Sequence, residues 1–249
     1  MFYGIPAEKQ LDFQRVIDTL KEIYPDVYGA DMLICMWRNM AFRQNKRFMK
    51  SFNDASENDV EKSLLWRLHV LSWAAENALE VEGDFVECGV LKGFSSRVLC
   101  DYLDFGTRDK HFLLYDTFAG LPETTSTEQE RIAWDYSSYD SEQLYKEVKS
   151  VFSAYPNVEV LKGIVPDIFS QTVPDKIAFL HIDMNSERAE MLALEALFEK
   201  VTPGGFIVLD DFGWACNRNQ MQAELQFMND RKHRILELPT GQGVILKTS

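Results

Sequence analysis

The residues best suited to chemistry in this chain are acidic, and most of them close a short apolar run. Glu87 follows Phe85-Val86, Asp116 follows His111–Tyr115, Asp183 follows Ile177–Ile182, and Asp210-Asp211 follow Phe206–Leu209. Glu87 also opens a glycine-bearing turn through Gly89 and Gly93, which leads into a helical pattern at Val98, Leu99, Tyr102 and Leu103. A strand–turn–helix of this kind lets backbone approach a ligand closely and aims helix N–H groups at negative charge. Taken singly, any of these acids reads equally well as a loop opener or a helix cap. Together, at successive strand ends, they read as one polar rim.

The elements that must position them alternate from Val81 onward. His111–Tyr115, Val158–Leu161, Ile177–Ile182 and Phe206–Leu209 read as strands beside the Phe85-Val86 run. Between them lie helical patterns at Leu144, Val148, Val151 and Phe152, with Asp140 and Gln143 at the cap, and at Met191, Leu194, Leu197 and Phe198, stopped by Pro203-Gly204-Gly205. After a helix holding Met221, Leu225 and Met228, the segments Ile235–Leu238 and Val244–Lys247 flank Pro239–Gly243 as an antiparallel hairpin. Apolar strands alternating with amphipathic helices predict an α/β fold: a doubly wound, seven-stranded sheet, parallel apart from the C-terminal hairpin. Ligands of such sheets bind beyond the carboxyl ends of the strands, where the acids stand.

Residues 1–80 carry helical patterns and no strand signals. Phe13, Val16, Ile17 and Leu20 mark one helix that closes at Tyr24-Pro25-Asp26, and an aromatic and basic segment, Met32–Phe52, follows. Asn58 and Glu61 resemble a capping box opening a helix with Leu64, Leu68, Leu71, Ala75 and Ala78 on one face. Residues 1–80 therefore read as a helical cap belonging to the same domain as residues 81–249.

Composition narrows the function. The 249 residues are 46% hydrophobic and 26% charged, with a net charge of −13, which argues against a nucleic-acid or anionic-membrane binder. The local exception is a basic stretch at Arg43–Lys50. No apolar run approaches the roughly 20 residues of a membrane span, and Met1–Gln10 has no signal-peptide pattern. Cys35, Cys88, Cys100 and Cys216 form no C-x-x-C pair, which favours reduced thiols in a cytoplasmic protein over structural zinc.

Five segments in this order resemble the class I S-adenosylmethionine-dependent methyltransferases, which are Rossmann-like, and more narrowly the macrocin O-methyltransferase (TylF/MycF) family of natural-product sugar O-methyltransferases. They are GDFVECGVLKG at 83–93, LLYDTFAGLPE at 113–123, LKGIVPD at 161–167, HIDMN at 181–185 and PGGFIVLDDFG at 203–213. The resemblance implies S-adenosylmethionine as methyl donor and S-adenosylhomocysteine as product. It places Gly89 and Gly93 under the methionine portion, Glu87 near its ammonium and Ser95 near its carboxylate. Asp116 would accept from the ribose hydroxyls, Thr117 and Phe118 would lie along the adenosine, and Gly163 with Ile164 would flank the adenine edge; a loop anchor is the equal alternative for Phe118. It also implies a divalent ion, Mg2+, on Asp183, Asp210 and Asp211. Hard oxygen donors from neighbouring strand ends suit such an ion, and three clustered carboxylates without one would titrate abnormally.

One departure bears on mechanism. Relatives commonly carry I-D-G-D, whose second aspartate is proposed as the general base, whereas this chain has Ile182-Asp183-Met184-Asn185. Asn185 cannot take a proton, so the catalytic set becomes Asp183, Asn185 and Asp210, with Asn185 ligating the ion or orienting the acceptor. His181 is on the same strand side as Asp183 and is a base candidate, although a histidine in an apolar strand is more often a core residue; His69, His111 and His233 are weaker candidates. The long segment Ala119–Asp140, with Trp134, Tyr136 and Tyr139, reads as a lid. Tyr28, Trp37 and Phe42 read as acceptor walls or as cap packing. The implied acceptor is a small molecule or glycoside, with a homo-oligomer expected by resemblance. A phenolic or catechol-type hydroxyl and a catalytically silent binding protein are the competing readings.

Overall fold

A computed structural model describes residues 5–248. The cap begins with α1 (Gln10–Ile23) and then departs from expectation: β1 (Tyr28–Ala30) and β2 (Leu33–Cys35) form an antiparallel hairpin. Its two-residue turn is Asp31-Met32, with φ of 52° and 60°. Both residues are left-handed, as the tightest hairpins require, yet neither is glycine or asparagine. That chemistry, on strands of three residues, hid the hairpin from sequence reasoning. The helices α2 (Lys46–Ala55), α3 (Asp59–Ser63) and α4 (Leu65–Ala78) follow. Asn58 caps α3 by accepting from Val60 and Glu61 N–H groups, but the Glu61 carboxylate reaches back one residue further than a capping box does, to the Glu57 N–H at 2.6 Å. The basic stretch is not a free patch, since Arg47 pairs with Asp104 and Lys50 with Asp54.

The main unit alternates as read. It comprises β3 (Asp84–Cys88), α5 (Phe94–Leu103), β4 (Phe112–Asp116), α6 (Glu128–Ala133), α7 (Ser141–Phe152), β5 (Val158–Lys162), β6 (Ile177–Ile182), α8 (Glu187–Leu197), β7 (Val201–Leu209), α9 (Arg218–Asp230), β8 (Leu236–Glu237) and β9 (Gly243–Leu246). The sheet runs β5-β4-β3-β6-β7-β9-β8, with β3 to β7 parallel and β9 antiparallel to both its neighbours. Pro203-Gly204-Gly205 does not stop α8, which ends at Leu197; it forms an irregularity inside β7, where pairing shifts between Ile177 and Phe179 of β6. Glycine is required at the close approach, because a Cβ on Gly205 would sit 2.8 Å from the Ala178 carbonyl oxygen.

Period-2 alternation divides the core between the two sheet faces. Phe85, Leu114 and Phe179 pack with Phe48, Phe52, Leu68 and Leu71 of the cap, while Val86, Leu113 and Leu180 pack with Leu194, Leu197 and Phe227 on the other side. No helix among the described residues is long and apolar enough to cross a membrane. At the tip of β3, Gly89 has φ +92°, and a Cβ there would lie 1.8 Å from the Asp183 carbonyl oxygen. The turn and the β6 tip touch only because this residue has no side chain. Gly89→Ala is therefore expected to cost about 3 kcal/mol or more from combined strain and overlap, read as a large drop in the thermal unfolding midpoint.

Candidate active site

The strand tips converge on one cleft of about 610 Å3. Its walls include Glu87, Gly89, Ser95, Asp116, Thr117, Phe118, Gly163 and Ile164 at one end, and Asp183, Asn185, Asp210 and Asp211 at the other. Of the residues read from sequence as a site, all but Gly93 line this cleft. Gly93, in the left-handed region at φ +78°, lies where a Cβ would meet the Phe152 ring at 2.6 Å, so it seats α5 against α7.

At the first end, Asp116 is already occupied by its own chain. One carboxylate oxygen accepts from the Val90 and Leu91 N–H groups at 2.6 and 2.8 Å, and the other accepts from the Phe118 N–H at 2.6 Å. The carboxylate thus moulds the glycine turn, a role sequence reasoning missed. Phe118 is 2% exposed and packs 5.3 Å from the Tyr145 ring, which makes it an anchor as well as a wall. The Thr117 hydroxyl donates to Gly120 O, turning the chain into the Ala119–Asp140 segment. That segment is fastened over the cleft by Ser186 Oγ donating to Thr125 O at 2.7 Å and by Glu130 accepting the Glu187 N–H at 2.9 Å. Trp134, Tyr136 and Tyr139 face the cleft from it, whereas Tyr28, Trp37 and Phe42 do not line it. Tyr28 and Phe42 pack against Trp66, and Trp37 is 82% exposed.

Beneath the other end runs a chain of buried charge. Glu87 accepts from the Ser96 hydroxyl and from His181 Nδ1, the latter at 2.7 Å. His181 Nε2 lies 3.7 Å from Asp210 Oδ1, too far for a hydrogen bond and without any other partner. Burial works against a charge on His181, but the Asp210 and Glu87 carboxylates on either side raise its pKa to about 10. His181 lies off the cleft, buried between the Glu87 and Asp210 carboxylates, where it reaches no acceptor hydroxyl. His69, His111 and His233 do not line the cleft either.

Asp210 also accepts from Gln242 Nε2 at 2.8 Å and from Arg67 Nη1 at 2.6 Å. Burial alone would raise its pKa; the Arg67 guanidinium first, then His181 and Gln242, hold it well below the usual carboxylate range. Its neighbours are not so served. Burial and then the Asp210 charge push Asp183 well above its ordinary value and Asp211 up to about 7. One oxygen from each of Asp183, Asp210 and Asp211 lies within 4.8 Å of the others, and Asp211 Oδ2 is buried with no partner. Asn185 Nδ2 donates to Asp183 at 3.3 Å. An orphaned carboxylate oxygen in a cluster of hard donors fits a divalent cation. Sequence reasoning missed Arg67 and Gln242. The available signal was Arg67 itself, a charge at the buried spacing of Leu64, Leu68 and Leu71.

Comparison with known proteins identifies the family and the fold. The sequence model described as macrocin-O-methyltransferase (TylF) matches residues 65–237. The chain is 29% identical over 161 residues to mycinamicin III 3''-O-methyltransferase of Micromonospora griseorubida, covering 59% of this chain and 62% of that protein. It is 28% identical over 159 residues to 8-demethyl-8-(2,3-dimethoxy-alpha-L-rhamnosyl)-tetracenomycin-C 4'-O-methyltransferase of Streptomyces olivaceus, covering 59% and 60%. It thus spans about three fifths of the length of these relatives. Among solved structures, the O-methyltransferase NovP superposes with a TM-score of 0.61 at 20% identity, covering 74% of this chain and 81% of that one. The calicheamicin methyltransferase CalS11 gives 0.60 at 16% identity, covering 86% and 95%. These superpositions establish the methyltransferase fold.

Behind Asp211 lies a second acidic pair. Glu190 and Glu224 are fully buried on α8 and α9, with Gln220 Nε2 donating to them at 2.8 and 3.4 Å. Burial, above all, raises Glu224 from 4.5 to about 7 and Glu190 well above its ordinary value. A carboxyl whose pKa is higher folded than unfolded keeps its proton only in the folded state across that window. Stability therefore falls as pH rises from about 4.5 to about 7 and stays low above it. Glu224→Gln should stabilise the fold at pH 8 by roughly 2 kcal/mol, and the gain should vanish near pH 4.5, as read by urea unfolding at the two pH values.

Proposed function

The chain belongs to the macrocin-O-methyltransferase family, and from that premise we propose that it transfers the methyl group of S-adenosylmethionine to a hydroxyl of a sugar on a natural product or glycan. The observation that carries the reading is the convergence in one cleft of the glycine turn, Asp116 and the Asp183, Asp210, Asp211 cluster. In the reaction the methyl–sulfur bond breaks as the oxygen–methyl bond forms. The products are a methyl ether and S-adenosylhomocysteine, and the hydroxyl proton leaves to a nearby carboxylate or to water.

The donor end would be held by Gly89, Ser95 and Glu87 around the methionine portion and by Asp116 at the ribose, with Gly93 acting only through the seating of α5. Asp116 has spent three hydrogen bonds on its own backbone and retains acceptor capacity for a diol hydroxyl. Thr117, Phe118, Gly163 and Ile164 would enclose the adenosine. At the acceptor end Asp183, Asp210 and Asp211 would hold Mg2+, which when bound supplies the positive charge that acidifies and fixes an acceptor hydroxyl. Asn185 would orient that hydroxyl, since an amide donates and accepts but does not take a proton. The fastened segment with Trp134, Tyr136 and Tyr139 excludes water and offers rings for a sugar face or an apolar aglycone. A phenolic acceptor is the second reading, favoured by those aromatics together with Trp214 and by an asparagine beside the aspartates.

Asp116→Ala should weaken S-adenosylhomocysteine binding at least about tenfold, through both the lost ribose acceptor and the loosened turn. Isothermal titration of S-adenosylhomocysteine into wild type and variant measures this, and equal affinities would overturn the placement of the ribose. Incubation with methyl-labelled donor and parallel panels of glycosides and catechols, with and without Mg2+, separates the two acceptor readings. Donor binding with label on neither panel would favour a silent protein.

A further inference from the structure

The buried arginine of the cap has a role that the donor and acceptor sites alone do not explain. Arg67 is 9% exposed and spends its guanidinium on two carboxylates from distant parts of the chain. Nε and Nη2 donate to Asp31 at 2.6 and 2.9 Å as a two-pronged fork, and Nη1 donates to Asp210 at 2.6 Å. The guanidinium carbon Cζ lies over the Trp214 ring, 4.7 Å from its centroid. Asp31 is 5% exposed and occupies the left-handed first position of the cap hairpin turn, followed by Met32 at φ +60°. A methionine in that region is strained, and strain persists only where surrounding contacts over-determine it. The fork from Arg67 is one such contact. Asp210 needs the same help for another reason. It stands beside Asp183 and Asp211, which repel it at short range in a partly desolvated site. Arg67 grips one of its oxygens while Gln242 grips the other.

We propose that Arg67 is a positioning residue, anchored by Asp31 of the cap hairpin, that holds Asp210 in the orientation which closes the three-carboxylate cation seat. The cap is then part of the seat, although none of its residues touches the ion. This rests on the reading of Asp183, Asp210 and Asp211 as cation ligands. Outer hydrogen bonds to a ligating carboxylate set its geometry, and their loss typically weakens metal binding by 10–100-fold. Lysine cannot replace Arg67, because one ammonium does not fork onto Asp31 and reach Asp210 together.

The test is calorimetric titration of Mn2+ into the full chain, paired with titration of S-adenosylhomocysteine and thermal unfolding of the same samples. Asp31→Asn is the primary variant, since it keeps the side-chain shape and lies outside the seat; Arg67→Lys is the second. The expected result is Mn2+ binding weakened about tenfold or more in both, with S-adenosylhomocysteine affinity within about threefold of wild type. Mn2+ affinity within twofold of wild type in a folded Asp31→Asn protein overturns the proposal. So does a parallel loss of Mn2+ and S-adenosylhomocysteine binding that tracks a lowered unfolding midpoint, because that marks a merely structural role. If wild type itself binds no Mn2+, the cation reading fails first and this inference with it; wild-type binding with unperturbed variants removes the inference alone.

Discussion

Everything at the site depends on strand register. In a parallel sheet a slip of one residue turns each side chain to the other face, and here Glu87 pairs with His181 while Ile182 pairs with Leu209. The tips of β3, β6 and β7 therefore come up level, with Glu87, His181 and Val208 in line across three strands and Asp210 two residues beyond Val208, on the same face. The extra residues of β7 around Pro203-Gly204-Gly205 belong to this alignment, since the strand re-enters register at Phe206 opposite Phe179 after the irregularity. Gly89 does the same on the other side by letting the turn rest on the Asp183 backbone.

Register brings like charges together, and the protein answers in two ways. An isolated buried carboxylate costs several kcal/mol, so the deep half of the cluster is paired: Glu87 with His181 and Ser96, Asp210 with Arg67 and Gln242, Asp31 with Arg67. The half facing the cleft is not. Asp183 and Asp211 are left with raised pKa values and one orphaned oxygen. The division is physically informative. Two internal cations, Arg67 and His181, lie within reach of these carboxylates, and Arg67 donates to Asp210 but to neither Asp183 nor Asp211.

The sheet was legible because its strands are short apolar runs, four of which, β3, β4, β6 and β7, stop at an acid, a pattern written locally. The convergence of those acids followed from topology. What was not legible is held by single side chains acting over long sequence distances. Arg67 stands out in sequence only as a charge on the apolar face of its helix, and its partner Asp210 lies 143 residues along the chain. Gln242 sits in a hairpin turn where polar residues are routine. The hairpin itself was hidden because Asp31-Met32 lacks the glycine that marks such turns, and the strained turn is held in place by Arg67 of α4. Asp116 was recognised as a site residue, but its grip on Val90 and Leu91 is a backbone contact that side-chain spacing does not reveal.

The family resemblance implies an aspartate at the position of Asn185, and the charge balance of this site gives a reason for an amide there. The residue holds φ +55°, a left-handed conformation that asparagine adopts more readily than most residues. A fourth carboxylate here would stand beside Asp183 and add to the repulsion within the cluster. A neutral amide instead donates to Asp183 and leaves its oxygen for the cleft. In this site a residue that cannot take a proton lowers the repulsion that a base would have added.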